Sequence, residues 1–249
     1  MKKHQSPEVV ERKRQQFEAW QKRNPSKQFK DYFAEKVKEQ FANGKPHLTL
    51  GRNLRGGEFS TSGENFFKQL QRYGLKSGDT CIDYGCGTLR IGLHVIRFLQ
   101  PSAYWGFEID DFLLKEGRKL IGEKLWKEKR PNLRVISPGS VAEASSCKAD
   151  MLFSHAVMFH VHPAELVEYV NNVMSLIKPS GQAIIVGPWM DKMGDALQFS
   201  GQSWTHALPL LTEFVKRKNG RVEILNEKDY PLEAFGQTAK IGTLRVTLV

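Results

Sequence analysis

The stretch Thr80-Cys81-Ile82-Asp83-Tyr84-Gly85-Cys86-Gly87-Thr88-Leu89-Arg90 joins a short apolar run to a Gly-x-Gly turn and then to a helical pattern. Cys81, Ile82 and Tyr84 supply strand-forming residues, while Gly85 and Gly87 remove side chains that would keep a ligand away from the turn's backbone. The helix expected over 89–99 would present its first amides to the polar end of such a ligand. Asp83 sits at the expected strand tip, where a carboxylate favours a cation and repels a diphosphate.

Strand and helix patterns alternate from this point: strand 80–84, helix 89–99, strand 103–108, helix 111–129, strands 133–136 and 150–154, helix 163–177 and strand 182–187. That order predicts an α/β fold, a doubly wound, mostly parallel sheet with helices on both faces. A helix at 64–73, closed by Gly74, leads into it. The tail reads as a helix at 205–218 and strands at 221–225 and 242–249, a last pair suited to an antiparallel hairpin that completes the sheet.

Ligands of open α/β sheets sit beyond the C-terminal ends of the strands, which marks Gly85 and Gly87, then Glu108, Ile109 and Asp110, then residues 138–141, then Ser154, His155 and Ala156. Glu108 ends the apolar run 103–107, about twenty residues beyond the glycine turn, where an acid can bind both hydroxyls of a ribose. The third glycine of a dinucleotide fingerprint is replaced by Arg90.

Four segments, Asp83-Tyr84-Gly85-Cys86-Gly87, Gly106-Phe107-Glu108-Ile109-Asp110, residues 150–160 and Leu176-Ile177-Lys178-Pro179-Ser180-Gly181-Gln182, resemble the ordered motifs of class I S-adenosylmethionine-dependent methyltransferases. The resemblance covers residues 60–190, extends to the tail only as a strand pattern, and does not reach the first 55 or so. It implies a sheet with a reversed final strand, an enzyme with S-adenosyl-L-methionine as cofactor, and a cofactor site at Asp83, Gly85, Cys86, Gly87, Glu108, Ile109, Ser140, Val141 and Ser154. Family members often carry an acid where Ser140 stands, at the adenine; Glu143 is an alternative acid, or simply a charge on a helix face. The implied division is a basic helical extension and linker at 1–59 and a methyltransferase domain at 60–249.

A hydroxyl acceptor must lose a proton during methyl transfer, and a histidine titrating near neutrality suits that task. His155, His160 and His162 cluster just past the fourth strand, and His155 and His160 are the candidate bases, with packing or capping the other role open to them. His206 is a further candidate. The fourth strand does not end in Asn/Asp-Pro-Pro-Tyr, which argues against methylation of an exocyclic base amine, and no cysteine follows a proline, which argues against attack on a pyrimidine ring. Three functions remain: O-methylation of a small molecule or glycan, methylation of RNA, or a non-catalytic binding subunit.

Charge bears on the choice. The first 60 residues hold fourteen Lys and Arg against seven Asp and Glu, +7 of the chain's +10, and an uneven basic balance fits an anionic partner such as RNA as well as it fits solvated helix faces. Ser6-Pro7-Glu8 opens a helix to about Arg23, and a second helix runs to Ala42 with Phe29, Phe33, Val37 and Phe41 in a stripe. This N-terminal helical hairpin is expected to pack on the catalytic domain or on a twin subunit, with Gly44 to Gly63 as a linker carrying Arg52 and Arg55. The sheet, beginning at Thr80, is expected to need nothing from it. Three scattered cysteines fit neither a disulfide framework nor a metal site. No apolar run reaches the ~20 residues of a membrane span, so a cytoplasmic protein is expected.

Overall fold

The computed structural model describes residues 5–43 and 62–249. Arg52, Arg55, almost all of the expected linker and the expected boundary between 59 and 60 lie outside the described residues. In chain order the helices are α1 (Pro7–Arg23), α2 (Phe29–Ala42), α3 (Ser62–Arg72), α4 (Gly92–Phe98), α5 (Asp111–Ile121), α6 (Glu123–Lys129), α7 (Pro138–Cys147), α8 (Leu166–Leu176) and α9 (Leu208–Lys216). The strands are β1 (Cys81–Tyr84), β2 (Tyr104–Glu108), β3 (Asn132–Val135), β4 (Ala149–His155), β5 (Ile177–Met190), β6 (Leu197–Ser200), β7 (Ser203–Ala207), β8 (Gly220–Leu232) and β9 (Gln237–Leu248). Among the described residues no helix is long and apolar enough to cross a membrane.

The chain forms two compact units, one of residues 34–153 and 175–182, the other of residues up to 33, 154–174 and 183–249. In the first, the strands run parallel in the order β3-β2-β1-β4, with Asp83 opposite Gly106 on one side and Phe153 on the other. β1 and β2 are buried at every position, as strands covered on both faces must be. β4 and β5 pass through both units and are neighbours in each: the Gly181 backbone lies against Ala149 and Asp150, and the Ala156 amide donates to Val186 O at 2.9 Å.

Local signals explain where helices begin and end. Asp110 caps α5 by accepting from the Phe112 amide at 2.7 Å. The helix expected over 111–129 breaks into α5 and α6 at Gly122, whose φ of +80° only a glycine adopts readily. The turn after β1 is longer than expected, because Leu89 holds φ +66° and helix geometry starts only at Gly92. Residues 138–141, expected as a loop, open α7 instead: Ser137 caps it and Ser140 returns the bond, a reciprocal capping box.

In the second unit β9 pairs with β5 and, antiparallel, with β8, from Gly220 opposite Leu248 to Leu232 opposite Gln237. The reversed final strand is present and the hairpin is much longer than the sequence pattern suggests. Its far end carries Leu232 and Ala239 onto Phe199, a small apolar cluster joined by Phe159, Tyr230 and Phe235. The β6–β7 hairpin was not legible as strands. Thr205 and His206, expected in a helix, lie in β7, and α9 starts only at Leu208, with Pro209 in its first turn.

The N-terminal helices bury their apolar residues. Phe29 is 2% exposed and meets Phe17, Tyr32, His162 and, edge to face at 4.6 Å, Trp204. Val10 and Trp20 on α1 are buried as well, and Gln5 accepts from the Gly201 amide in the β6–β7 turn at 3.0 Å. The aromatic stripe is thus part of the core of this unit, where the sequence reading expected the sheet to need nothing from the hairpin. In the other unit, Phe41 meets Phe112 edge to face and Lys38 pairs with Asp110 at 2.6 Å.

Candidate functional site

Two buried carboxylates stand at the C-terminal ends of adjacent strands. Glu108, on β2, accepts from the amides of Gly87 and Ile109, each at 2.7 Å. One donor on each oxygen leaves a further lone pair on each for other donors. Burial pushes its carboxyl up to about 7, against the pull of those two amides. Asp83, on β1, accepts from the Tyr104 hydroxyl at 2.8 Å. Burial raises it to about 8; the Tyr104 bond and the Arg90 charge pull it down, and Glu108 pushes it up.

Tyr104 reaches Asp83 because two glycines leave room for its ring. Gly106 stands opposite Asp83, and a Cβ there would lie 3.1 Å from the Tyr104 ring, 3.1 Å from Cys86 Sγ and 2.7 Å from Leu133 Cδ2. A Cβ on Gly92 would strike the Tyr104 hydroxyl itself. Gly85 and Gly87 hold φ of +86° and +54°, the left-handed turn that brings the Gly87 amide to Glu108. Cys86 is buried, and burial with two acidic neighbours drives its thiol well above the ordinary range, so it is an unreactive lining group.

Of the other expected cofactor residues, Ile109 contributes its amide to Glu108, and Val141 is buried on α7. Ser140 spends its hydroxyl on the helix cap, donating to Val135 O at 2.7 Å and accepting from the Ser137 amide at 3.0 Å. Glu143 takes a bidentate bond from Arg134 at 2.7 and 2.9 Å, which commits it to the helix face.

In the second unit Ser154 is fully buried and accepts from the Tyr169 hydroxyl at 2.9 Å. His155 ends β4 and precedes Ala156, whose φ of +62° is uncommon for a residue with a Cβ. His160 lies in a 3-10 turn, Met158–His160, its Nδ1 2.6 Å from the Gln202 carbonyl and its ring against Phe33 and Phe159. His162 caps the next short turn through Nδ1 and stacks on Phe29. His206 is buried beneath the Met158–Val161 segment.

No family model matches the chain, and no curated protein matches it. Solved structures do. Magnesium protoporphyrin IX methyltransferase (ChlM) from Synechocystis PCC 6803 with bound S-adenosylhomocysteine superposes with a TM-score of 0.57 at 12% identity, over 88% of this chain and 98% of that one. The same enzyme with bound S-adenosylmethionine gives 0.53 at 13%, over 76% and 79%. The 1,6-didemethyltoxoflavin-N1-methyltransferase of Burkholderia thailandensis, with its substrate and S-adenosylhomocysteine, gives 0.52 at 16%, over 87% and 89%. The fold is that of class I S-adenosylmethionine-dependent methyltransferases.

On this methyltransferase fold, sequence reasoning reached the glycine turn and Glu108 but missed Tyr104 and Tyr169, the hydroxyls that engage Asp83 and Ser154. Their signal is weak in one dimension. Gly92 and Gly106 flank the space that Tyr104 fills, yet only the packing of α4 and β2 shows that both face the same ring.

Proposed function

We propose that the chain binds S-adenosyl-L-methionine and transfers its methyl group to an oxygen of a small molecule or glycan. The observation that carries the reading is the pair of buried carboxylates at the ends of β1 and β2, with Glu108 fixed by the Gly87 and Ile109 amides. Glu108 would accept from the ribose hydroxyls through its remaining lone pairs, and Asp83 would face the cationic amino-acid end. Gly85, Cys86 and Gly87 would line the space between them, and Ile109, Ser140 and Val141 would border the adenine. When bound, the cofactor supplies a methyl group activated by a sulfonium.

On the acceptor side His160 is favoured over His155 as the base. A carbonyl only accepts, so His160 Nδ1 donates to Gln202 O, and in the uncharged form of that ring the lone pair falls on Nε2, the atom through which a base takes a hydroxyl proton. Phe33 and Phe159 beside that ring support a flat, partly apolar acceptor, and the named neighbours act on a porphyrin and a toxoflavin precursor. Several basic residues of the N-terminal helices are paired within the chain, Lys30 with Glu168, Lys38 with Asp110 and Arg14 with Glu11, which supports a small acceptor over RNA.

Calorimetry on the full chain tests the reading, with S-adenosylmethionine and S-adenosylhomocysteine expected to bind stoichiometrically; no detectable heat with either favours a non-catalytic subunit. Release of S-adenosylhomocysteine across a panel of phenols, hydroxy acids and sugars, with RNA as a separate arm, then assigns the acceptor. His160→Ala should lower turnover by roughly a hundredfold and leave cofactor affinity unchanged.

A further inference from the structure

His206 lies in β7, opposite Trp189 of β5, and is 2% exposed. Its Nε2 is 3.2 Å from the Met158 carbonyl and 3.0 Å from the Val161 carbonyl. Both partners can only accept, so Nε2 carries the hydrogen and shares it between them. Those two carbonyls bracket the turn that holds His160. Four residues earlier, at the tip of the same hairpin, Gln202 O accepts from His160 Nδ1.

From this juxtaposition we infer that His206 is a positioning residue: the β6–β7 hairpin sets both the place and the tautomer of His160, through His206 on the carbonyls of Met158 and Val161 and through Gln202 on Nδ1. The inference rests on the reading of His160 as the base and deepens it. The expectation of His206 as a further candidate base gives way, because burial depresses its pKa to about 4 despite the two carbonyls that favour the charged ring. A neutral Nε2–H donor is what two backbone carbonyls require. The donor's strand is hydrogen-bonded on both sides, to β5 and to β6, which makes it a rigid support for a short irregular turn.

The order of assembly follows from chemistry. An uncharged imidazole can hold its proton on either nitrogen, and a base that faces an acceptor through Nε2 works only in the Nδ1–H form. Gln202 selects that form only while the turn keeps Nδ1 within reach of the carbonyl. His206 holds the turn, so its loss should be felt at the His160 ring.

Ring 15N NMR on the full chain, with S-adenosylhomocysteine as the only added ligand, reads this without an acceptor. The expected spectrum shows His206 neutral at pH 6 with its hydrogen on Nε2, and neutral His160 with its hydrogen on Nδ1, the reverse of the form favoured by a free side chain. His206→Ala should raise the Nε2–H share of His160 at least threefold. His206→Gln, whose amide offers two N–H donors to the two carbonyls, should restore the wild-type ratio. An Nε2–H form of His160 in the wild type, or an unchanged ratio in His206→Ala, overturns the inference. Should His206→Ala not fold, the wild-type tautomers and His206→Gln decide alone, and a His206→Gln spectrum with His160 on Nε2 overturns it. Failure of the underlying reading looks different: the tautomers are as expected, yet His160→Ala turns over at the wild-type rate.

Discussion

Replacing Asp83 by asparagine should stabilise the ligand-free protein and weaken its hold on the cofactor. Asp83 is 3% exposed and bonded to Tyr104, and burial lifts its carboxyl from an ordinary 3.8 to about 8. Because the folded value is raised, the folded chain keeps a proton that the unfolded chain releases. Stability is therefore full below pH 4 and is lost as pH rises from about 4 to about 8. Each pH unit in that window costs about 1.4 kcal/mol, so roughly 4 kcal/mol is missing at pH 7. Asparagine has nearly the same shape, accepts from Tyr104 through Oδ1 and has no proton to lose. Urea denaturation at pH 4.5, 6, 7 and 8 should show Asp83→Asn gaining on wild type with rising pH, by up to about 4 kcal/mol at pH 7 and little at pH 4.5. Glu108 adds a slope of the same sign to both proteins, so the difference reports Asp83 together with its repulsion from Glu108. Binding of S-adenosylhomocysteine should weaken by ten- to a hundredfold, the worth of about 1.5 to 3 kcal/mol for a charged hydrogen bond. A stability difference that does not depend on pH, or a variant less stable than wild type at pH 7, would refute the argument.

Glu108→Gln should weaken S-adenosylhomocysteine binding by a similar factor, since an amide NH2 would face one of the two backbone N–H groups; in wild type, whose Glu108 is raised to about 7, affinity should climb between pH 6 and 8 as the carboxylate forms, and a pH-independent dissociation constant would remove Glu108 from the site. Gly106→Ala should cost about 1 to 3 kcal/mol and displace Tyr104 from Asp83, because β2 is paired on both sides and cannot shift to relieve the contacts; an unchanged denaturation midpoint would show that the ring has room elsewhere. Phe29→Ala should cost about 3 to 5 kcal/mol, and a loss below 1 kcal/mol would mean that the N-terminal helices are peripheral after all.

Short-range chemistry was legible in the residues themselves. The Gly85 and Gly87 turn, the acid at Glu108, the proline and acid opening α1 and the apolar runs of β1 and β2 each act over a few neighbours, so a linear reading finds them and infers a parallel α/β sheet with a reversed last strand. What the tertiary structure decided are relations between distant residues. Tyr104 meets Asp83 across 21 positions only because the register sets Gly106 opposite the carboxylate. His206 reaches Met158 across 48 only because a hairpin with weak strand propensity is held by β5. The aromatic stripe of α2 told that a partner surface exists, and only packing showed that part of it is Trp204 and His162 of the same chain. Ser140 carries the same lesson, since its hydroxyl would suit an adenine contact by type, and its commitment to a helix cap depends on where β3 ends and α7 begins. Local conformational preference is a property of adjacent residues and survives in sequence. The pairing of a buried polar group with its partner depends on which distant segments the fold brings side by side, and that is specified only by the whole.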